Sequence, residues 1–316
     1  MFFSDKSALP TPEEALPGRE QRWFPLAARH LVLDAPLVTD EVPEGLEVAI
    51  FGLGCFWGAE EVFWQVPGVW STSVGYAGGY SANPSYEEVC TGRTGHTEAV
   101  RIVFDPAQVA YGDLVRIFFE VHDPTQGMRQ GNDRGSQYRS AIYFTTPMQQ
   151  HIGVAMTDLY GQVLGAKGFD PITTELRSAE EISYYYAEDH HQQYLVKVPH
   201  GYRCHAKTGV AFPARATSIA EVGIERPGRY GKQLASHLGR KFGGEWVPGA
   251  EPDTTGSGTI TFERGNATLL AEGDVLRFEL DSESTRTGML EDVLARHLVR
   301  FASDQSIQVS WARAPK

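Results

Sequence analysis

From Leu46 to Leu164, apolar runs of strand length alternate with stretches of helical periodicity, and glycine or proline marks most of the changes of period. The run starting at Leu46 reads as a strand that ends at Gly52-Leu-Gly54, and Phe56 to Gln65 suits a helix stopped by Pro67-Gly68. A strand over 69–76 then enters the turn Ala77-Gly-Gly-Tyr80. A further strand is read over 98–104, a helix over 111–122 behind Asp105-Pro106, a strand over 140–144, and a helix from Pro147 through Leu164. This alternation predicts a mixed α/β layer structure.

Residues 1–45 are different. Pro10, Pro12, Pro17, Pro25, Pro36 and Pro43 rule out long helices there, so this segment is expected to be an extended arm wrapped on a domain. A boundary is expected near Thr217. Beyond it the pattern becomes αβββαβ: a helix over 230–242, strands near 258–262, 267–271 and 275–280, a helix over 287–301 and a strand over 307–311, with 247–256 as a loop. The expected fold is therefore α+β. A mixed-sheet α/β sandwich domain with a ferredoxin-like core over 46–216 is expected, followed by a small αβββαβ domain over 220–316.

No stretch approaches the roughly 18–20 apolar residues of a membrane span, and no basic-then-apolar leader opens the chain, so a cytoplasmic protein is expected. The formal net charge of −12 argues against nucleic acid or anionic lipid as partners, since both require a basic surface. The cysteines Cys55, Cys90 and Cys204 are too few for a disulfide-stapled fold, and none is spaced as in a zinc motif; the adjacent Cys204-His205 is a weak signal alone. Inert buried thiols or redox and nucleophilic chemistry remain. Cys55 lies where a strand gives way to a helix, so free N–H groups and the positive dipole end are expected to favour its thiolate. Phe56 and Trp57 put aromatic faces beside the sulfur, which suits a thioether-like group. A core cysteine among core aromatics is the competing reading.

Gly54-Cys-Phe-Trp-Gly58, Phe63-Trp-Gln65, Gly75-Tyr-Ala-Gly-Gly79 and Gly95-His-Thr-Glu98 resemble the A-type peptide methionine sulfoxide reductase family. His122-Asp-Pro-Thr125, Gln130-Gly-Asn-Asp-Arg-Gly135, Gln137-Tyr-Arg-Ser140 and His191-Gln-Gln-Tyr194 extend the match, which covers residues 1 to about 215. The resemblance implies reduction of methionine S-sulfoxide, free or in proteins, with Cys55 as nucleophile and Glu98 as the acid at the sulfoxide oxygen. It implies that Tyr86 and Tyr138 assist at that oxygen, that Phe56 and Trp57 wall the substrate methyl, and that Asp133 and Tyr194 line the pocket. The chemistry gives its own reason for these residue types: attack at sulfur weakens the S–O bond, so an acid must protonate the departing oxygen, and a carboxyl in an apolar pocket keeps its proton near neutral pH. Attack leaves a sulfenic acid, which condenses with a second thiol. Cys204 in Pro199-His-Gly-Tyr-Arg-Cys204 is expected to be that thiol, with a thioredoxin-like protein as the reductant. No bound cofactor or metal is required.

The sequence departs from the family in two places. Many members read Gly-Tyr-Cys where Arg203 here displaces the cysteine by one residue, and Gly209-Val-Ala-Phe212 replaces a further relay cysteine of several members. Cys90 is in register with a non-catalytic cysteine of some relatives. His96, His190 and His191 also admit a Cys/His/Asp hydrolase, which would use Asp133. Residues from about 220 resemble a small domain family of unknown function through Arg226-Pro-Gly-Arg-Tyr230 and Leu290-Glu-Asp-Val293. A docking role is the reading for that module.

Overall fold

The computed structural model describes residues 6–204 and 206–316; His205, half of the Cys204-His205 pair weighed above, lies outside the described residues, as do residues 1–5. The chain forms two compact units, one comprising residues up to Gln150 together with Phe169–Ala211, the other His151–Gly168 together with Phe212–Lys316.

The first unit contains β1 (Glu47–Leu53), α1 (Phe56–Trp64), β2 (Val69–Ala77), α2 (Tyr86–Val89), β3 (Thr97–Phe104), α3 (Tyr111–Val121), the short β4 (Arg129–Gln130) and β5 (Asp133–Arg134), and β6 (Ser140–Phe144). The first turn of α4 (Pro147–Ala166) leaves the unit, and the chain returns as β7 (Glu175–Ser178), β8 (Tyr184–Tyr186) and α5 (Tyr194–Lys197). Its main sheet has the order β7-β6-β1-β3-β2-β8, antiparallel except between β6 and β7. Within it, β1-α1-β2-β3-α3-β6 is a βαββαβ unit with sheet order β6-β1-β3-β2, the expected ferredoxin-like core. Val100, Ile102, Val103 and Phe104 are all buried, so β3 is covered on both faces and reads as a continuous apolar run rather than an alternating one. Phe51 on β1 lies 5.6 Å from Phe63 on α1 and 5.2 Å from Phe118 on α3, ring centre to ring centre, fixing both helices to the sheet. Several short elements were not anticipated, among them β7, β8 and α2. β7 and β8 are short and only half-buried, and α2 is a single turn set by a capping box between Ser85 and Glu88.

The described part of the N-terminal segment packs on this unit. Arg19 forks onto Glu88 at 2.6 and 2.8 Å, and a Cβ at Gly18 would stand 2.3 Å from the Ala82 nitrogen, so only glycine permits that approach. His30, fully buried, bonds Thr72 at 2.8 Å.

The second unit holds the body of α4, then β9 (Arg215–Gly223), α6 (Pro227–Phe242), β10 (Gly244–Pro248), β11 (Gly256–Phe262), β12 (Gly265–Glu272), β13 (Val275–Glu283), α7 (Ser284–Phe301) and β14 (Ala312–Pro315). The sheet is antiparallel throughout, in the order β10-β11-β12-β13-β9-β14. Burial alternates strictly along β11 and β12, so one face packs, against Leu234 and Leu238 of α6 and Leu290, Leu294 and Leu298 of α7. Three details differ from the sequence pattern. Thr217 falls inside β9, whose alternation runs through the expected boundary; β10 occupies the start of the expected 247–256 loop; and the last strand lies at 312–315 instead of 307–311. Ile307, Val309 and Trp311 satisfy their apolar spacing by packing on the core without a ladder.

A buried carboxylate ties this unit together. Glu291 accepts from the guanidinium of Arg313 at 2.9 and 2.6 Å, from Ser218 Oγ at 2.5 Å, and lies 3.2 Å from His151 on α4. A Cβ at Gly288 would stand 2.8 Å from Ile152 Cα, so α7 meets α4 at a glycine. Among the described residues no helix is long and apolar enough to cross a membrane.

Candidate active site

Cys55 is the N-cap residue of α1 and is buried. Gly54 before it has φ +93°, and a Cβ there would meet the Gln130 side chain at 2.7 Å, so the turn that delivers Cys55 requires glycine. Glu98, on β3 and 1% exposed, accepts the N–H of Phe56 at 2.9 Å through Oε2. The carboxyl of Glu98 thus occupies the open helix end directly behind the thiol.

The electrostatics correct one expectation. Burial pushes the Cys55 thiol well above its ordinary value, charge on Glu98 pushes it further, and the backbone N–H groups of Trp57 and Gly58 only partly oppose this. The helix end does not make a resting thiolate, because desolvation outweighs it. Burial likewise raises Glu98 to about 8, against the Phe56 hydrogen bond that lowers it. At neutral pH the pair is a thiol beside a carboxylic acid.

Tyr86 opens α2, donating its N–H to Glu188 at 2.9 Å, and the capping box and Arg19 hold that turn in place. Tyr138 ends a 3₁₀ turn whose flanks are fixed by Thr97, the neighbour of Glu98: Thr97 Oγ1 donates to the carbonyls of Gln137 at 3.0 Å and Arg139 at 3.1 Å. Both phenols are raised, by burial first and then by the charge of Glu98. The structure therefore brings Cys55, Glu98, Tyr86 and Tyr138 together. The Tyr86 hydroxyl also hydrogen-bonds Cys90, whose thiol burial raises.

Phe56 is fully buried, with its ring 5.9 Å from that of Tyr76. Trp57 stacks on Tyr194 at 4.0 Å and 19° and donates Nε1–H to His191 Nδ1 at 3.1 Å. That bond occupies the His191 lone pair, and burial lowers His191 to about 3. His96 accepts the Gly79 N–H at Nδ1 and bonds the Ser81 carbonyl through Nε2. Neither His96 nor His191 is free to act as a base toward Cys55, which removes the hydrolase arrangement for them. Among the described residues no cluster of three or more His, Cys, Asp or Glu could hold a metal.

Cys204 shares a cavity of ≈ 220 Å³ with Cys55, lined also by Leu53, Gly58, Gln130 and Arg203. Its Sγ donates to the Gln130 carbonyl at 3.5 Å, and a Cβ at Gly58 would stand 4.0 Å from its backbone nitrogen. The 203–204 segment thus lies against Gly58. Asp133 accepts the Tyr202 O–H at 3.1 Å, which puts it against that same segment. Gln130 was missed. It was visible only as part of the 130–135 motif, yet it packs on Gly54, receives Cys204, and pairs with the backbone of Asp123 in both directions at 2.9 Å.

Residues 47–220 match the model of the family described as "Peptide methionine sulfoxide reductase", and 219–312 match "Uncharacterized protein conserved in bacteria (DUF2218)". The chain is 56% identical over 213 residues to a peptide methionine sulfoxide reductase MsrA of Rhodospirillum centenum, an alignment spanning 67% of this chain and 95% of the relative. It is 51% identical over 207 residues to the mitochondrial peptide methionine sulfoxide reductase of Homo sapiens, covering 66% of this chain and 86% of that one. The solved structure of methionine sulfoxide reductase A of Corynebacterium diphtheriae superposes with a TM-score of 0.59 at 47% identity, over 65% of this chain and 97% of that one. The chain belongs to the peptide methionine sulfoxide reductase family and carries a DUF2218 domain behind it.

Proposed function

We propose that the protein reduces methionine S-sulfoxide, free or in proteins, by attack of Cys55 at the sulfoxide sulfur with Glu98 as the proton donor to oxygen. The observation that carries this reading is the Glu98 carboxyl, fully buried, hydrogen-bonded to the N–H that follows Cys55 and raised to about 8. A protonated acid beside a buried thiol suits a reaction in which oxygen must be protonated while sulfur is attacked. Tyr86 and Tyr138 donate to the same oxygen, and Phe56 and Trp57 hold the methyl, with Tyr194 stacked behind Trp57 and Asp133 at the rim.

The cycle balances without a cofactor. Cys55–SH and the sulfoxide give Cys55–SOH and methionine; the S–O bond to methionine breaks, and the oxygen passes to the enzyme thiol. Cys204–SH then attacks the sulfenic sulfur, expelling water and leaving a Cys55–Cys204 disulfide. A thioredoxin dithiol reduces that disulfide by exchange. The cycle needs a compartment that keeps thiols reduced, which supports the reading of a cytoplasmic protein. The chemistry is read onto the catalytic domain over 46–216, with 1–45 as its arm, apart from the body of α4 and the start of β9, which belong with 220–316 in the second unit. Reduction of a defined S or R sulfoxide with dithiothreitol tests the reading: wild type converts the S epimer, and Cys55→Ser releases no methionine from either. Turnover by Cys55→Ser would overturn it.

A further inference from the structure

We propose that Arg203 and Glu61 form a latch that holds Cys204 within reach of Cys55, so that Arg203, between Tyr202 and Cys204, is a positioning residue. This rests on the reading of Cys204 as the resolving thiol. Arg203 Nε and Nη2 donate to the two carboxylate oxygens of Glu61, each at 2.7 Å. A planar, two-point bond of this kind fixes direction as well as distance, which a single ammonium contact cannot do. Glu61 lies on α1, the helix that Cys55 caps, so the latch ties the Cys204 segment to the element that carries the nucleophile.

The rest of the segment is fastened more weakly. Tyr202 donates to Asp133 at 3.1 Å, and Cys204 Sγ donates to the Gln130 carbonyl at 3.5 Å. Arg203 Nη1 also donates to the carbonyls of Pro199 at 3.1 Å and Gly201 at 3.4 Å, so one guanidinium both shapes the loop and anchors it. Disulfide closure is an intramolecular attack whose rate follows the fraction of time the two sulfurs spend in line, and a tether adjacent to the attacking residue raises that fraction. Both members of the pair are about a quarter to a third exposed, so the latch is open to salt.

The test separates closure from the first chemical step. After one equivalent of methionine sulfoxide, methionine release is followed alongside the disappearance of dimedone-reactive Cys55 sulfenic acid. Glu61→Gln is expected to slow closure about tenfold, within the range a small misplacement costs, and to leave methionine release unchanged. Added salt should slow closure in wild type and not in Glu61→Gln, and Glu61→Arg combined with Arg203→Glu should recover it. Closure as fast as in wild type overturns the latch. Methionine release falling in step with closure overturns it too, because Glu61 would then serve the cavity as a whole. Cys204→Ser distinguishes the underlying reading: if it still closes a disulfide on Cys55, the resolving assignment fails and the latch with it.

Discussion

The two units bury the same functional group with opposite results. In the first, Glu98 and Glu60 are sealed from water, with no cation in hydrogen-bond contact among the described residues, and burial raises them to about 8 and about 7. Glu60 is held by Thr72 and Gln193, which are neutral, and by a contact of 3.9 Å to His30, which burial lowers to about 4. In the second, Glu291 is equally inaccessible, yet hydrogen bonds from His151 and Arg313 and the charge of Arg313 outweigh burial and hold it below the usual carboxylate range. A buried carboxylate without a cation is a proton store; one that is fully paired is a rivet. The first kind belongs at a site that must protonate oxygen, the second at a seam.

The contrast has a pH signature. A carboxyl raised in the fold contributes most when protonated, and that contribution is lost as pH climbs from about 4.5 through the folded value. Glu98 and Glu60 therefore weaken the first unit between about pH 5 and 8. For Glu291 the sign reverses: its contribution is present above about 4.5 and lost as pH falls through the lowered folded value.

The largest effect expected is on Glu98. Glu98→Gln keeps an acceptor for the Phe56 N–H but has no proton to give, so first-turnover methionine release should drop about 10²–10³-fold. Wild type should lose rate above about pH 8, where Glu98 ionises, and the variant should show no such break. At pH 9 the same variant should unfold at higher denaturant, by on the order of 2–4 kcal/mol, because a buried charge has been removed. Next, Glu291→Gln should cost about 3 kcal/mol of unfolding free energy at pH 7 by leaving the mostly buried Arg313 guanidinium with only the more distant Asp158 carboxylate, with methionine release intact. If either variant changes activity and stability in the same direction, the division between proton store and rivet breaks. Smaller still, Tyr86→Phe and Tyr138→Phe should each slow release about tenfold as one donor to the oxygen is lost, measured in single turnover with dithiothreitol absent.

What the sequence made legible was what is local. The Gly54-Cys55 turn, the strand carrying Glu98 and the succession of strands and helices follow from residues a few positions apart, whereas the sheet order rests on pairings such as Ile50 with Tyr143. The thiolate expectation failed for the same reason: a helix end can be read from neighbours, whereas the burial that overrides it comes from the whole fold. Arg203 looked like a simple insertion because its partner Glu61 lies 142 residues away. Glu291 appeared only inside the Leu290-Glu-Asp-Val293 match with no role attached, since an acidic residue on a helix is ordinarily solvated and its partners come from Arg313, Ser218 and His151. The displaced last strand shows the limit of alternation, which reports burial and not pairing.

The central claim is that Cys55 takes the sulfoxide oxygen and that Cys204 removes it. One measurement addresses both: Cys204→Ser treated with excess methionine S-sulfoxide and no reductant, followed by methionine counting and mass mapping of the cysteines. The account predicts one methionine per protein and one oxygen on Cys55 alone. Continued turnover, or oxygen found on Cys90 instead, would contradict it.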